Sequence, residues 1–383
     1  MTNITGVRTS ANIASARVNV DMAKDIALVD PNEAPFVSLL KLAKSKTRVV
    51  SNPKFEWLED DLLATWSTVT AAAVASATSL TVADGSIFRV GDILKLPATG
   101  ENVMVTAISA NTLTVSRAYG TTAAAEIAKD AAVFNIGNAM SENSASRTVK
   151  STQETNAYNY TQIFRTPIAL SGTEAAMELG GGRDRRYQRR KALLEHKRDI
   201  ARAFYYGERK LDSAGATPRR TMGGLLSFVD IEGQSVSFSS SGNELTYANF
   251  DKYVAQKAFA HGSKNKLIIA GPKLASAING WAEKKLVSEV KEDTHGVRIK
   301  NLVTSFGDLS IVYEPLLEGA VYGGYGFVLD LDFIRYACLK GRDTKLLMGI
   351  QNPDTDGIVD EYLTECSLEI KQPKAHVVIK GAY

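Results

Sequence analysis

At 383 residues, 44% of them hydrophobic and 23% charged, the chain can bury a large core and is expected to divide into two or three domains. A net charge of only +3 excludes a wholly cationic protein, so any basic region is a local feature. Two cysteines, Cys338 and Cys366, exclude a disulfide framework and stand in no metal-ligand spacing, which fits a reducing compartment. The opening MTNITGVRTSANIASARV lacks the apolar core of a signal peptide, and no stretch approaches the ~20 apolar residues of a membrane span. The expectation is a protein made in the cytoplasm, without a membrane partner.

Residues 1–28 are small or polar and weakly patterned, which predicts an extended arm. Asp30-Pro31-Asn32-Glu33 reads as a helix start, with a capping Asp, Pro at the first helical position and Glu three residues after the cap. Phe36, Leu39, Leu40 and Leu42 supply its apolar stripe. From Ser51 the pattern turns to strand: alternation in KFEWL puts Phe55 and Trp57 on one side and Glu56 and Leu58 on the other, before the acidic run Glu59-Asp60-Asp61.

Residues 68–137 form an island rich in Ala, Thr, Val and Gly, with short strands at 79–82, 92–96, 103–106 and 112–115. Their close spacing predicts a small β-barrel or sandwich, without an aromatic cluster or ligand cage. Residues 158–169 return as a strand, so the island is expected on two arms whose exposed edges call for another chain to cover them.

The longest regular stretch is RDRRYQRRKALLEHKRDIARAFYYGERKL, residues 183–211. It has no Pro, and its Arg, Lys, Leu, Ala and Glu are the residues that lose least on entering a helix. Leu193, Leu194, Ile200, Ala201, Phe204 and Tyr205 recur at helical spacing, while Arg185, Arg186, Arg189 and Arg190 make the opposite side basic. Residues 183–206 alone predict a rod roughly 35 Å long. Gly180–Gly182 frees the turn before it, and Gly207 suits its end. A solvated face, a nucleic-acid contact and a subunit contact would all explain the basic side.

A Gly-Gly turn in RTMGGL leads to a second domain with a helix at 247–260, a buried strand at 266–270, a helix at 272–285, a hairpin turning at Gly307-Asp308, and a strand at 326–331. This mixture is α+β. In the tail, Tyr362, Thr364, Cys366, Leu368 and Ile370 share one face of a strand, and Leu363, Glu365, Ser367, Glu369 and Lys371 the other. With the short strand at 376–379, it is expected to pack along the long helix.

Catalytic chemistry is hard to find. His196, His261, His295 and His376 are scattered and read as surface or half-buried residues. Gly180–Gly182 is not followed by Gly-Lys-Ser/Thr and no GxGxxG occurs. Asn352–Gly357 resembles the start of a calcium loop, but Leu363 falls where a bidentate Glu is required, leaving only a loose cation site at Asp354, Asp356 and Asp360. Asp330 and Asp332 fall together on the outer face of a strand. The reading is no enzyme, with no catalytic residue, metal, cofactor or small-molecule substrate.

Taken together, DPNEAPFVSLL, KFEW, QIF…ALSGT, YQRRKALLEHKRDI, RTMGGL, FGDLSIV and the end from EYLTECSLEI through KAHVVIKG resemble the major capsid proteins of tailed bacteriophages, whose fold is shared with encapsulins and the herpesvirus shell floor. The pieces run in order over nearly the whole chain. The resemblance implies an N-terminal arm (1–46), an extended loop (47–182) carrying the inserted β-domain (68–137), and a peripheral-domain spine helix (183–220). It further implies an axial domain (221–349) and C-terminal strands completing the peripheral domain (350–383). Several relatives begin with a removable scaffolding segment; this chain starts at its arm, which implies a separate scaffolding protein or none. The implied function is a structural shell of pentamers and hexamers, icosahedral or prolate, enclosing double-stranded DNA held by non-specific electrostatics. Its partners would be further copies, a portal, and scaffolding or decoration proteins; its place would be the virion, after assembly in the host cytoplasm. An encapsulin-type compartment and a nucleic-acid-binding regulator are the alternatives. Because the extended loop of that family lies across a neighbouring peripheral domain, the expected inter-subunit contacts are Phe55, Glu56, Trp57, Glu59, Asp60 and Asp61 on one copy. They would meet Arg185, Arg186, Arg189 and Arg190 on the next.

Overall fold

The computed structural model describes residues 34–42, 46–177, 184–215, 217–230, 234–239, 244–285, 290–294 and 297–381. The expected arm at 1–28, the helix start Asp30–Glu33, Gly180–Gly182 and His295 lie outside these. The chain forms two compact units: residues 58–156, and the remainder on either side of them.

In the larger unit, helix α1 (Pro35–Leu42) precedes strands β1 (Thr47–Val50) and β2 (Lys54–Glu59). After the smaller unit come β3 (Thr155–Tyr160), β4 (Gln162–Ser171) and the long helix α2 (Asp184–Tyr206), then β5 (Ile334–Leu339), β6 (Lys345–Leu347) and β7 (Gly357–Ile370). β2 and β3 pair with each other, but β4 does not continue that hairpin. It runs antiparallel to β7 in a sheet ordered β1-β5-β7-β4, with β6 also on β7. The single return strand expected at 158–169 is therefore two strands: the chain leaves the hairpin at Thr161, whose amide bonds to the carbonyl of Pro53, and enters a buried sheet.

Helix α2 forms as its composition requires, but its buried stripe is Ala192, His196, Ile200, Ala201, Phe204 and Tyr205; Leu193 and Leu194 lie at the margins. Four-residue steps from Ala192 through His196 and Ile200 to Phe204 keep one helix face on the sheet. Phe36 and Leu40 of α1, Phe204 and Tyr205 of α2, and Tyr336 and Leu368 of the sheet share one core.

A second, seven-stranded sheet runs in the order Ser235–Ser237, Val377–Lys380, Gly326–Leu329, Asn265–Ala270, Asp308–Tyr313, Val297–Val303, Val290–Thr294. Its core joins Ile268, Val328 and Ile379 to Phe250, Val254 and Leu274 of the covering helices. The tail thus divides between sheets. β7 lies along α2 as expected, whereas Val377–Lys380 pairs with Gly326–Leu329, a correction to the tail packing as one piece.

Residues 58–156 have their own core, centred on Val69, Leu80, Phe88, Leu94, Val103 and Leu113. Six strands run in the order Trp66–Thr68, Ala132–Asn138, Asp92–Leu96, Glu101–Ser109, Thr112–Ser116, Ser79–Thr81. A buried ion pair ties them: Arg117 reaches both oxygens of Glu101 at 2.8 Å, and the amides of Ala118 and Ala125 bond the same carboxylate. Burial alone would raise the pKa of Glu101, but Arg117 and the two amides outweigh it and hold it down. One aromatic pair bridges the edge of the inserted sheet. Trp66 and Phe134 face each other across two strands, stack at 5.8 Å and remain exposed.

Candidate functional site

The charged chemistry of the larger unit is organised by β7. Its inner face carries Tyr362, Thr364, Cys366, Leu368 and Ile370 into the core, as alternation predicts. The other face is charged, yet Glu361, Glu365 and Glu369 are all buried. Each has been met by cations from distant parts of the chain. Arg165 of β4 grips Glu361 with two bonds of 2.6 Å. Glu365 accepts from Arg342 at 2.6 Å and from the Thr161 hydroxyl at 2.8 Å, with Arg220 at 3.5 Å. Glu369 accepts from Arg48 of β1 at 2.7 Å. A carboxylate in such a place needs a hydrogen-bonded partner, and the bidentate guanidinium supplies both charge and geometry.

At the start of β7, Asp360 receives two residues of the basic helix. Arg185 reaches its oxygens at 2.8 and 2.7 Å, Arg189 at 2.9 Å, and the amide of Gly349 at 3.1 Å. The Arg185 guanidinium, joined by Gly349 and Arg189, holds this carboxyl well below the usual range despite its burial. This corrects the loose cation site at Asp354, Asp356 and Asp360, since two guanidinium groups occupy Asp360. Among the described residues no cluster of His, Cys, Asp or Glu could hold a metal.

The expected contact residues divide accordingly. Phe55 and Trp57 are buried in their own chain, packed with Val50, Ala337 and Phe228, and so serve to anchor β2. Arg185 and Arg189 are engaged by Asp360, while Arg186 and Arg190 are exposed. Glu56 is exposed and pairs with Lys54 at 2.5 Å. Asp60 and Asp61 are exposed and Glu59 is half-buried.

Three buried polar groups were not legible as such. His196 sits between the hydroxyls of Thr166 and Thr364, each 2.8 Å from a ring nitrogen, and burial lowers its pKa. His376, pushed down to about 4 by burial, accepts the amide of Asp330 at Nδ1 and donates from Nε2 to the carbonyl of Lys371. Asp330 is buried too, which corrects its pairing with exposed Asp332. It accepts from the amides of Ser263 and Asp332 and from buried Lys266, and Gly262, at φ +84°, leaves room for it where a Cβ would collide.

Glu314 forms a further junction. It is fully buried, 2.7 Å from the hydroxyl of Tyr205, and accepts the amide of Phe36 near the start of α1. Burial pushes its carboxyl up to about 7, even though Tyr205 and the amides of Leu316 and Phe36 favour the charged form.

The sequence profile of the SU10 major capsid protein family matches residues 3–383. The major capsid protein of Pseudomonas phage PaMx41 is 25% identical over 327 residues, spanning 82% of this chain and 78% of that protein. Among solved structures, a chain from the capsid of an empty GTA particle gives a TM-score of 0.53 at 12% identity, covering 98% of this chain and 100% of that one. A chain from Mycobacterium phage Bobi gives 0.51 at 9% identity, covering 97% and 98%. Identities this low make the structural likeness a statement about the fold.

Proposed function

This chain belongs to the SU10 major capsid protein family and is a phage capsid protein, and from that premise we infer how its copies meet. The observation that carries the reading is a division of charge. Residues 58–156 hold ten Asp and Glu against six Lys and Arg, a net of −4, which leaves +7 for the rest of the chain. Opposite surpluses on two units of one chain favour contacts in which the acidic unit of one copy faces the basic unit of the next, and they disfavour like-to-like contacts.

Within that arrangement, Glu59, Asp60 and Asp61 of one subunit, with Glu56 just before them on β2, meet Arg186 and Arg190 of its neighbour. Arg185 and Arg189 hold the helix to Asp360 and so fix the direction in which the other two point. Exposed pairs contribute only ~0–1 kcal/mol each, but closed symmetry repeats them at every interface. The element assignment follows the same reading: an N-terminal arm, an extended loop bearing the inserted β-domain, a peripheral domain built on α2 and β7, and an axial domain built on the seven-stranded sheet.

The product is a closed shell of pentamers and hexamers around double-stranded DNA, assembled in the host cytoplasm with a portal and with scaffolding or decoration proteins. DNA contact comes from the cationic surplus, without base readout, and weakens steeply with salt. Negative-stain micrographs of the purified protein, with and without scaffolding, test this reading. Rings, sheets or closed shells are expected; a chain that stays monomeric at every concentration and salt with scaffolding present overturns it.

A further inference from the structure

The two cysteines, 28 positions apart and unremarkable in sequence, are cross-strand neighbours. Antiparallel β5 and β7 pair in the register Ile334↔Ile370 through Cys338↔Cys366, so the two side chains leave the sheet on the same face. The hydrogen-bond phase of the ladder follows from its end. The amide of Lys371 donates to the carbonyl of Phe333 at 2.9 Å, which makes 333 and 371 a hydrogen-bonded pair. Such pairs recur every second residue, at 335 with 369 and 337 with 367, so Cys338 and Cys366 occupy the alternate, closer position. There the Cα atoms lie ~4.5 Å apart, inside the span that a disulfide bridges.

We propose that Cys338 and Cys366 are a disulfide-forming pair, a modification site that staples β5 to β7 when the protein meets an oxidising low-molecular-weight disulfide. The pair is covered while the fold is closed. Cys366 is fully buried and Cys338 is only 5% exposed, and burial pushes the Cys366 thiol up to about 12 and the Cys338 thiol upward as well. Helix α1 is part of the cover: Lys41 reaches Asp343 at 3.1 Å and Thr344 at 3.0 Å, and lies over the Tyr336 ring, the residue two before Cys338 on the same strand face. Oxidation therefore requires α1 to lift, and the site reports on that movement.

The chemistry balances without a metal. The Cys338 thiol loses its proton and attacks one sulfur of the external disulfide, breaking its S–S bond and releasing one thiolate. The Cys366 thiolate then attacks the mixed disulfide at the Cys338 sulfur and releases the second. Two protons and two electrons leave the pair, and the external disulfide is reduced to two thiols.

The test uses the full-length, unassembled chain, so its outcome does not depend on shell formation. The protein is incubated with oxidised glutathione, both under native conditions and in mild denaturant; remaining thiols are then capped with a maleimide and intact mass is measured. The expected product has lost both thiols, gained no glutathione, and carries a bridge between the peptides of Cys338 and Cys366. It forms slowly in the native chain and several-fold faster in Lys41→Ala. Its melting temperature rises by roughly 5 °C and returns on reduction, a readout that needs no core variant. Cys366→Ser should instead stop at a stable glutathione adduct on Cys338. Two thiols still free after oxidation in mild denaturant, stable glutathione adducts on the unmutated chain, or bridging only between chains would each overturn the proposal.

Discussion

Asp360 and Glu314 are both carboxylates withdrawn almost wholly from solvent, and they titrate in opposite directions. Asp360 lies where β7 meets α2 and is gripped by two guanidinium groups; Glu314 lies where α1, α2 and the end of Asp308–Tyr313 converge, and its partners are a phenol and backbone amides. Burial penalises both charges. Two nearby cations more than offset that penalty at Asp360, whereas neutral dipoles fall short at Glu314. The contrast separates two ways of joining elements: a charged clamp that fixes the basic helix, and a titratable joint at the base of the N-terminal helix.

Breaking the clamp should have the largest effect. Asp360→Ala leaves Arg185 and Arg189 facing each other without a carboxylate, and about 3–5 kcal/mol of unfolding free energy should disappear at neutral pH, read by urea denaturation. Because the folded pKa of Asp360 is depressed, its contribution is present above the ordinary value near 3.8 and is lost as the pH falls below it. A loss under 1 kcal/mol would mean that the helix is held by its apolar face alone.

Glu314→Gln sharpens the other side. The folded value of Glu314, about 7 against an ordinary 4.5, means that its contribution to stability is fully present below pH 4.5 and is lost as the pH rises through 7. His376 works the other way: its folded value near 4 gives a contribution that is present above 6.5 and lost as the pH falls through 4. The variant should lose the decline between pH 4.5 and 7, keep the acid-side trends of His376 and Asp360, and exceed the unmodified chain by up to about 3 kcal/mol at pH 8. An unchanged pH profile in stability measurements would refute the titratable joint.

What was legible in the sequence was local. Alternation and turn residues placed four of the six inserted strands, missing Trp66–Thr68 and Ala132–Asn138, together with the hairpin at Gly307 and the helices at 184–206 and 272–285, because these elements are specified by neighbours a few residues away. The partners of the polar faces were not legible. Nothing local to Glu361, Glu365 and Glu369 shows that Arg48, Arg165, Arg220 and Arg342 arrive from other elements, and the Asp360 clamp joins residues more than 170 positions apart. His196 and His376 read as surface or half-buried residues for the same reason: groups that satisfy them belong to remote parts of the chain. The cysteine register depends on the pairing of β5 with β7, which no local pattern encodes.

The smallest effect on the larger unit should come from removing residues 60–154. Glu59 and Thr155 are neighbours, with the Thr155 hydroxyl 3.3 Å from the Glu59 carbonyl, so a short Gly-Ser turn can join β2 to β3. Since the core of the inserted unit is its own, the shortened chain should still melt in one cooperative transition within a few degrees of the parent. A broad, non-cooperative melt in calorimetry would show that the two cores depend on each other.

The clamp also bears on assembly, because Arg186 and Arg190, which it leaves exposed, are the cations proposed to meet a neighbouring subunit. The most direct measurement is sedimentation of chains carrying Asp60→Lys and Asp61→Lys, alone and combined with Arg186→Glu and Arg190→Glu, under conditions where the parent assembles. The acidic reversal should leave slowly sedimenting subunits with unchanged melting, and the combined reversal should restore part of the fast-sedimenting fraction, as coupled partners require. Normal assembly of the first variant, or no recovery in the second, would contradict the pairing of acidic and basic units between copies.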